Sequence, residues 1–325
     1  MLILGVVVCT RLGHASDGRI PLDTATIGEP IQPIPQSTEL PPQRVALGER
    51  LFHDVRLSKT NTLACATCHI IALGGMDRRA RSRTAQGEPD VINTPTVFNT
   101  AFNFRQTWRG EFRTLEEQAE ADLSNPRHAN TDWDELLSKL RAIPEYRRDF
   151  SKSYGGDVTR ETVLDALATY QRSLITPDAA FDRFLRGENK AISSGARRGY
   201  QLFKSYGCVS CHQGVNVGGN MFQKLGIFRD YFTARGNVTM PDLGRFNVTG
   251  QESDRHVFKV PSLRNVALTA PYLHDGSIAT LEEAIQVMGR YQLDRELPAQ
   301  DVMSIAAFLR TLTGQYQGKT LADTP

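Results

Sequence analysis

Two short stretches, Cys65-Ala66-Thr67-Cys68-His69 and Cys208-Val209-Ser210-Cys211-His212, hold the residues with the most definite chemistry. Each reads C-x-x-C-H, the spacing at which two thiols add to the vinyl groups of a haem and the adjacent histidine binds its iron. A lone C-x-x-C would serve equally as a redox dithiol or as half a zinc site. Two copies, each followed at once by histidine, predict two covalently bound haem c groups. A zinc site would have to join pairs from opposite halves of the chain and leave both histidines idle. With His69 and His212 as proximal ligands, the sixth position of each iron decides the chemistry. Methionine there raises the potential and suits electron transfer, whereas an open position admits a small ligand such as peroxide.

The elements that must position these motifs are bounded by length and composition. A chain of 325 residues suggests two domains, each able to bury a core. The formal net charge of +2 and the lack of a basic stripe interleaved with aromatics exclude nucleic acid as an expected partner. Four of the five cysteines belong to the two motifs. The fifth, Cys9, lies in the apolar run Leu2–Cys9, which is too short to span a bilayer and resembles the core of a secretory signal, with Ala15-Ser16 as a cleavage point. That run lacks a basic start, which leaves room for a beginning further upstream. Lipid modification of Cys9 is the alternative, disfavoured by the bulky valines before it. Covalent haem attachment occurs outside the cytoplasmic membrane, so the expected location is periplasmic, and no other window is apolar enough to form a transmembrane span.

Residues 1–16 are thus read as a signal segment and 17–39, rich in proline, as an extended arm. A helix is predicted from Pro41, with Ser37 or Thr38 before it and Leu47, Leu51 and Phe52 on one side. Thr114 and Glu117 form a capping-box start, as do Thr280 and Glu283. Further helices are predicted over Trp133–Leu140, Thr159–Leu174 and Pro298–Leu312. The Asp182–Ser194 stretch has few apolar residues and reads as a boundary, and residues 213–256 read as loops that wrap a haem. Gly48-x-x-Leu51-Phe52 before the first motif recurs as Gly199-x-x-Leu202-Phe203 before the second, which suggests one haem-binding unit used twice. The expected fold is mainly α: two cytochrome c-like haem domains over 40–185 and 186–316, with long connecting loops and a tail over 317–325.

The order of motifs resembles the bacterial di-haem cytochrome c peroxidases and their MauG-type relatives, over roughly residues 40–316. The resemblance rests on the two C-x-x-C-H motifs, Asn93–Asn99, Trp108-Arg109-Gly110 with Leu115–Ala119, and Phe258–Val266 running into Thr269–Gly276. It implies that the haem on His69 reacts with hydrogen peroxide, while the haem on His212 receives electrons from a small donor, a cytochrome c or a blue-copper protein. It also implies Met288 as sixth ligand of the second haem, at the family's spacing from His274, with Met221 as rival. Trp108 matches the tryptophan that relays electrons between the haems. Asn93, with the backbone oxygens of Thr269 and Pro271, matches a calcium site, a sensible set for a hard cation though it lacks an acidic ligand. His274 matches a histidine near the electron-accepting haem, and a homodimer is the family habit.

Two departures stand out. The family's removable histidine ligand should fall near Ala85, but there is no histidine between His69 and His128; the first haem is therefore expected to be five-coordinate or water-bound. The family's distal glutamate, in an Asn-Pro-x-Glu pattern, is replaced in Asn125-Pro126-Arg127-His128. Imidazole can take and return a proton near neutrality, so His128 is the candidate acid–base group, with iron ligation or a surface position as alternatives. Gln118 and Arg127 are candidates to reach the same pocket.

Overall fold

The computed structural model describes residues 28–321, so the expected signal segment, Cys9, the first part of the arm and the last four residues of the tail lie outside the described residues. The chain is helix-rich, 46% helical with little strand. Two separate apolar clusters organise it. The first gathers Leu47, Leu51 and Phe52 with Leu123, Leu140, Phe150, Val163, Leu167 and Tyr170. The second gathers Phe181, Tyr200, Phe203, Ile285, Ile305, Phe308 and Leu309.

Each cluster is built on a helix crossing of the same kind. Helix Pro42–Phe52 packs on helix Arg160–Ser173, and helix Ser194–Ser205 packs on helix Ala299–Arg310. The repeated lead-in glycine explains itself here. A Cβ on Gly48 would lie 1.9 Å from the Ala166 carbonyl oxygen, and one on Gly199 would lie 1.8 Å from that of Ser304. Only glycine lets the two backbones approach this closely, and the following Leu-Phe pair fills the core beside the crossing.

A second internal repeat escapes a reading by motif. Pro95-Thr96-Val97-Phe98-Asn99 and Pro261-Ser262-Leu263-Arg264-Asn265 are straps of the same construction. In each, the hydroxyl accepts a backbone N–H two residues on, Phe98 N in one and Arg264 N in the other, both at 3.1 Å. The same hydroxyl donates to a backbone oxygen of the loop that follows the nearby C-x-x-C-H motif, Thr96 to Gly74 at 2.7 Å and Ser262 to Asn216 at 2.8 Å. Both straps end on an asparagine in the left-handed region, Asn99 at φ 61° and Asn265 at φ 59°, which asparagine tolerates better than most residues. The two asparagine amides converge on Thr176 Oγ1 at 2.8 and 3.0 Å, tying the halves together.

The predicted helices are present over Leu115–Ser124, Trp133–Ala142, Arg160–Ser173, Leu281–Gln292 and Ala299–Arg310, with Thr114, Thr159 and Thr280 as N-caps. The first capping box is only half closed, because Glu117 accepts the N–H of Arg113 at 2.6 Å instead of that of Thr114. Helix Pro42–Phe52 does not use Ser37 or Thr38; Pro41 is its N-cap and Pro42 opens it, where the missing N–H is no loss. Helix Pro144–Tyr154 has no counterpart among the predicted helices; its polar sequence hides the buried Tyr146 and Phe150.

The stretch read as a boundary begins deep in the protein. Asp182 is fully buried and accepts from Arg264 Nη1 at 2.6 Å, also fully buried, so a charge that suggested solvent is an internal ion pair. Residues 213–256 contain four short helical turns, Tyr231–Arg235, Met240–Leu243, Phe246–Thr249 and Glu252–Asp254, and one strand, Phe222–Lys224, paired antiparallel with Val257–Lys259. The ends of the described chain cross over. Ile31 of the arm is buried in the second cluster, whereas Leu321 of the tail is buried in the first.

Candidate active site

Both C-x-x-C-H motifs sit on a single helical turn, Cys65–Cys68 and Cys208–Ser210, and both proximal histidines are held by the same device. His69 Nδ1 lies 3.2 Å from the Gly75 carbonyl and His212 Nδ1 3.2 Å from that of Val217. A carbonyl can only accept, so Nδ1 carries the proton in each ring and Nε2 keeps its lone pair. Burial pushes both imidazoles below the ordinary histidine value, His212 to about 4, which keeps them neutral as an iron ligand must be. The turn that presents the first carbonyl needs glycine: Gly75 has φ +79°, and a Cβ there would lie 2.8 Å from Thr96 Oγ1.

The four motif cysteines are unbridged and partly buried. Burial raises the Cys65 thiol to about 12 and that of Cys208 to about 11, and it also raises Cys68 and Cys211. Such thiols are not poised as thiolates, which disfavours the redox-dithiol alternative. Two neutral imidazoles, each beside a pair of protonated thiols, make a donor set that fits haem c.

Next to the first motif lies a chain of polar side chains centred on His128. Its Nε2 is 3.0 Å from Asp90 Oδ2 and its Nδ1 is 3.2 Å from Asp122 Oδ1. Gln118, from the same helix as Asp122, donates to the other Asp122 oxygen. Arg127 Nε donates to Asp90 at 3.3 Å and its Nη2 to the Pro89 carbonyl at 3.1 Å. Hydrogen bonds to Asp122 and Asp90, opposed by burial, raise His128 to about 10. Burial would raise Asp90, but its bonds to His128 and Arg127 hold it below the carboxylate range. The charge of Asp122 raises the His69 value and that of His128 lowers it, against the larger effect of burial. His128 is therefore an imidazolium through the neutral range, with a proton to give.

The loop around Ala85 is fastened to this same cluster. Ala85 N–H donates to the Arg127 carbonyl at 2.8 Å and Gln86 Nε2 to that of Pro126 at 2.9 Å.

The remaining candidates meet where the halves join. Trp108, half-buried, donates from Nε1 to the Asn93 carbonyl at 2.9 Å and packs on a third cluster of Tyr231, Phe232 and Phe258. Gly110 closes its turn at φ +63°, where a Cβ would meet the Phe222 ring at 2.4 Å. Asn93 N–H donates to the His274 carbonyl at 2.7 Å, so the residues just before the first strap touch the segment carrying Thr269 and Pro271. Asn93 Nδ2 donates to the carbonyls of Arg79 and Ala80 at 3.1 Å, which turns its amide oxygen the other way.

His274 is 2% exposed, its Nε2 lies 2.7 Å from Asp242 Oδ1, and its ring packs on Phe258. Asp242, despite burial, is held far below the carboxylate range by His274, Arg235 and Thr239. Asp242, His274 and Asp275 lie close enough to share a cation, but Arg235 already bonds both carboxylates at 2.6 Å. Met288 is half-buried on helix Leu281–Gln292, whose Leu281 and Ile285 are buried, and Met221 is half-buried beside Val260.

The chain is similar to known proteins over most of its length. Residues 42–190 match the di-haem cytochrome c peroxidase family. The chain is 43% identical over 298 residues to cytochrome c551 peroxidase of Nitrosomonas europaea, covering 91% of this chain and 88% of that protein. The chain belongs to the di-haem cytochrome c peroxidase family. It is also 45% identical over 289 residues to the cytochrome c peroxidase of Escherichia coli K12, of which it spans only 62%. Among solved structures, a MauG-like protein associated with microbial copper homeostasis superposes with a TM-score of 0.76 at 28% identity, covering 88% of this chain and 94% of that one.

Within this family frame, three functional neighbours escape sequence reasoning. Asp90 and Asp122 hold His128, and Asp242 holds His274. Asp122 stands one helical turn after Gln118, a faint signal. Nothing in the order of residues pairs Asp90 with His128 or Asp242 with His274, since both contacts join segments more than thirty residues apart. Among the described residues, no helix is long and apolar enough to cross a membrane.

Proposed function

We propose that this protein is a periplasmic di-haem cytochrome c peroxidase that reduces hydrogen peroxide to water with electrons from a small redox protein, a cytochrome c or a blue-copper protein. The observation that carries the reading is the pair of C-x-x-C-H imidazoles with Nδ1–H on a backbone carbonyl and Nε2 left free. Cys65, Cys68, Cys208 and Cys211 would hold two haems covalently in two cytochrome c-like domains, with His69 and His212 as proximal ligands and Met288 completing the second site. When bound, the haems supply peroxide cleavage and electron storage.

The chain's own residues supply the rest. Each peroxide takes up two electrons and two protons to give two waters. The His128 imidazolium holds one proton ready at Nε2, facing the Asp90 carboxylate, while Asp122 fixes the ring at Nδ1. Gln118 fixes Asp122. Trp108, bonded to Asn93 and packed on the third cluster, bridges the halves for electron passage. Asn93, Thr269 and Pro271 would bind calcium at the same junction and stiffen it.

A MauG-type oxidase that modifies a partner protein is the second reading, favoured by the lack of a histidine near Ala85 and by the likeness to a MauG-like structure. Methionine at position 288 argues against it, because the resemblance places tyrosine there in that type. The test is peroxide-dependent oxidation of reduced cytochrome c by the purified two-haem protein. Turnover abolished by His69→Ala supports the peroxidase reading. Absence of turnover with any small donor, alongside oxidation of a protein partner, supports the alternative.

A further inference from the structure

Lys259 is a buried group that the peroxidase chemistry leaves unused. It ends the strand Val257–Lys259, opposite Phe222, and is 8% exposed. Its backbone N–H donates to the Trp108 carbonyl at 2.9 Å. Two residues on, the Pro261 carbonyl lies against Gly218, beside the His212 ring. A Cβ on Gly218 would lie 2.2 Å from that carbonyl oxygen and 3.3 Å from His212 Nδ1. The lysine stem therefore springs from the backbone between Trp108 and the second proximal histidine.

Among the described residues no carboxylate pairs with the Lys259 ammonium, and burial alone pulls it down to about 8, so it remains mostly charged at neutral pH. Glu111 is engaged with Arg109 at 2.7 Å and Asp254 with Arg245 at 3.5 Å. Arg109, next to Trp108, also has a buried Nε without a partner. A buried ammonium without a counter-ion is strongly unfavourable, so a sequence that keeps one there is suited to a buried anion. Such an anion would be carried by something other than the described side chains, and the propionates of a bound haem are carboxylates.

We propose that Lys259 is the cationic partner of a propionate of the haem held by His212, and that it sets the reduction potential of the electron-receiving site. The inference rests on the two-haem reading above. A positive charge against the propionate favours the reduced haem, which carries one positive charge fewer on its iron.

The test is a spectroelectrochemical titration of the holoprotein and of Lys259→Met. The variant should show a roughly tenfold lower ratio of reduced to oxidised haem at fixed potential, a drop of about 59 mV for a one-electron couple. Its potential should also become pH-dependent near neutrality, because the unpaired propionate takes up a proton on reduction. Lys259→Arg should restore both, which repacking alone would not do, and Lys259→Gln replaces the methionine variant if that one does not fold. Two haems per chain with unchanged potential and pH dependence would overturn the assignment of Lys259. Fewer than two haems per chain in the parent protein, counted by the pyridine haemochrome spectrum, would overturn the two-haem reading and this inference with it.

Discussion

The clasp of Asp90, His128 and Asp122 makes a prediction whose size follows from the structure. His128 titrates near 6.5 in an unfolded chain and at about 10 when folded, held first by Asp122 and then by Asp90. Because the folded value is raised, the clasp contributes its full stability below about pH 6.5 and loses it as pH rises through about 10. At 1.36 kcal/mol per pH unit, the gap sets a ceiling of roughly 5 kcal/mol. The ring is 36% exposed and the Asp122 side chain 45%, so solvent screening brings the expectation down to about 1–2 kcal/mol. Asp122→Asn keeps an acceptor for the ring but removes one charge. It should lower stability by about 1 kcal/mol at pH 6.5, by urea unfolding of the holoprotein, and by almost nothing above pH 10. In the same variant the alkaline limb of kcat/KM for peroxide should move toward neutrality, because His128 gives up its proton earlier. If stability and rate keep the parent's pH dependence in both respects, the clasp neither holds the proton nor delivers it.

Other consequences follow from single contacts. Gly199→Ala places a Cβ 1.8 Å from the Ser304 carbonyl oxygen and should cost roughly 1–3 kcal/mol or block folding, read by thermal unfolding, whereas Gly155→Ala, which meets no atom within 4 Å, should be far milder despite its positive φ. Arg264→Leu leaves Asp182 buried with no partner and should cost about 3–5 kcal/mol in urea unfolding. Trp108→Phe loses the Nε1 bond to Asn93 and should slow electron transfer between the haems in stopped-flow reduction while leaving haem content intact. Met288→His should lower the potential of the second haem, measured by redox titration; an unchanged value would favour Met221 as the ligand.

Much of this protein is legible in its sequence, for reasons that differ by element. C-x-x-C-H is legible because covalent attachment demands local spacing. The threonine caps are legible because they act within one helical turn. The lead-in glycines announce a repeat, but their purpose appears only when Ala166 and Ser304 arrive from far along the chain. The paired straps ending at Asn99 and Asn265 share a backbone design with few identical residues, so a motif search quotes both without matching them. Ionic contacts are the least legible. Asp182 looks like surface and is core, Asp90 is distant from His128 in sequence, and Lys259 sits in a strand too short to show alternation. Burial of charge depends on what arrives opposite, and that is a property of the fold.

The central claim is a division between two unlike irons, one conducting and one accessible to peroxide. It is tested most directly by electron paramagnetic resonance of the resting oxidised holoprotein before and after one equivalent of hydrogen peroxide. The account predicts two distinct ferric signals, a low-spin one from the site of His212 and Met288 and a high-spin one from the site of His69, with the high-spin signal lost on adding peroxide. Two low-spin signals, both unmoved by peroxide, would contradict it.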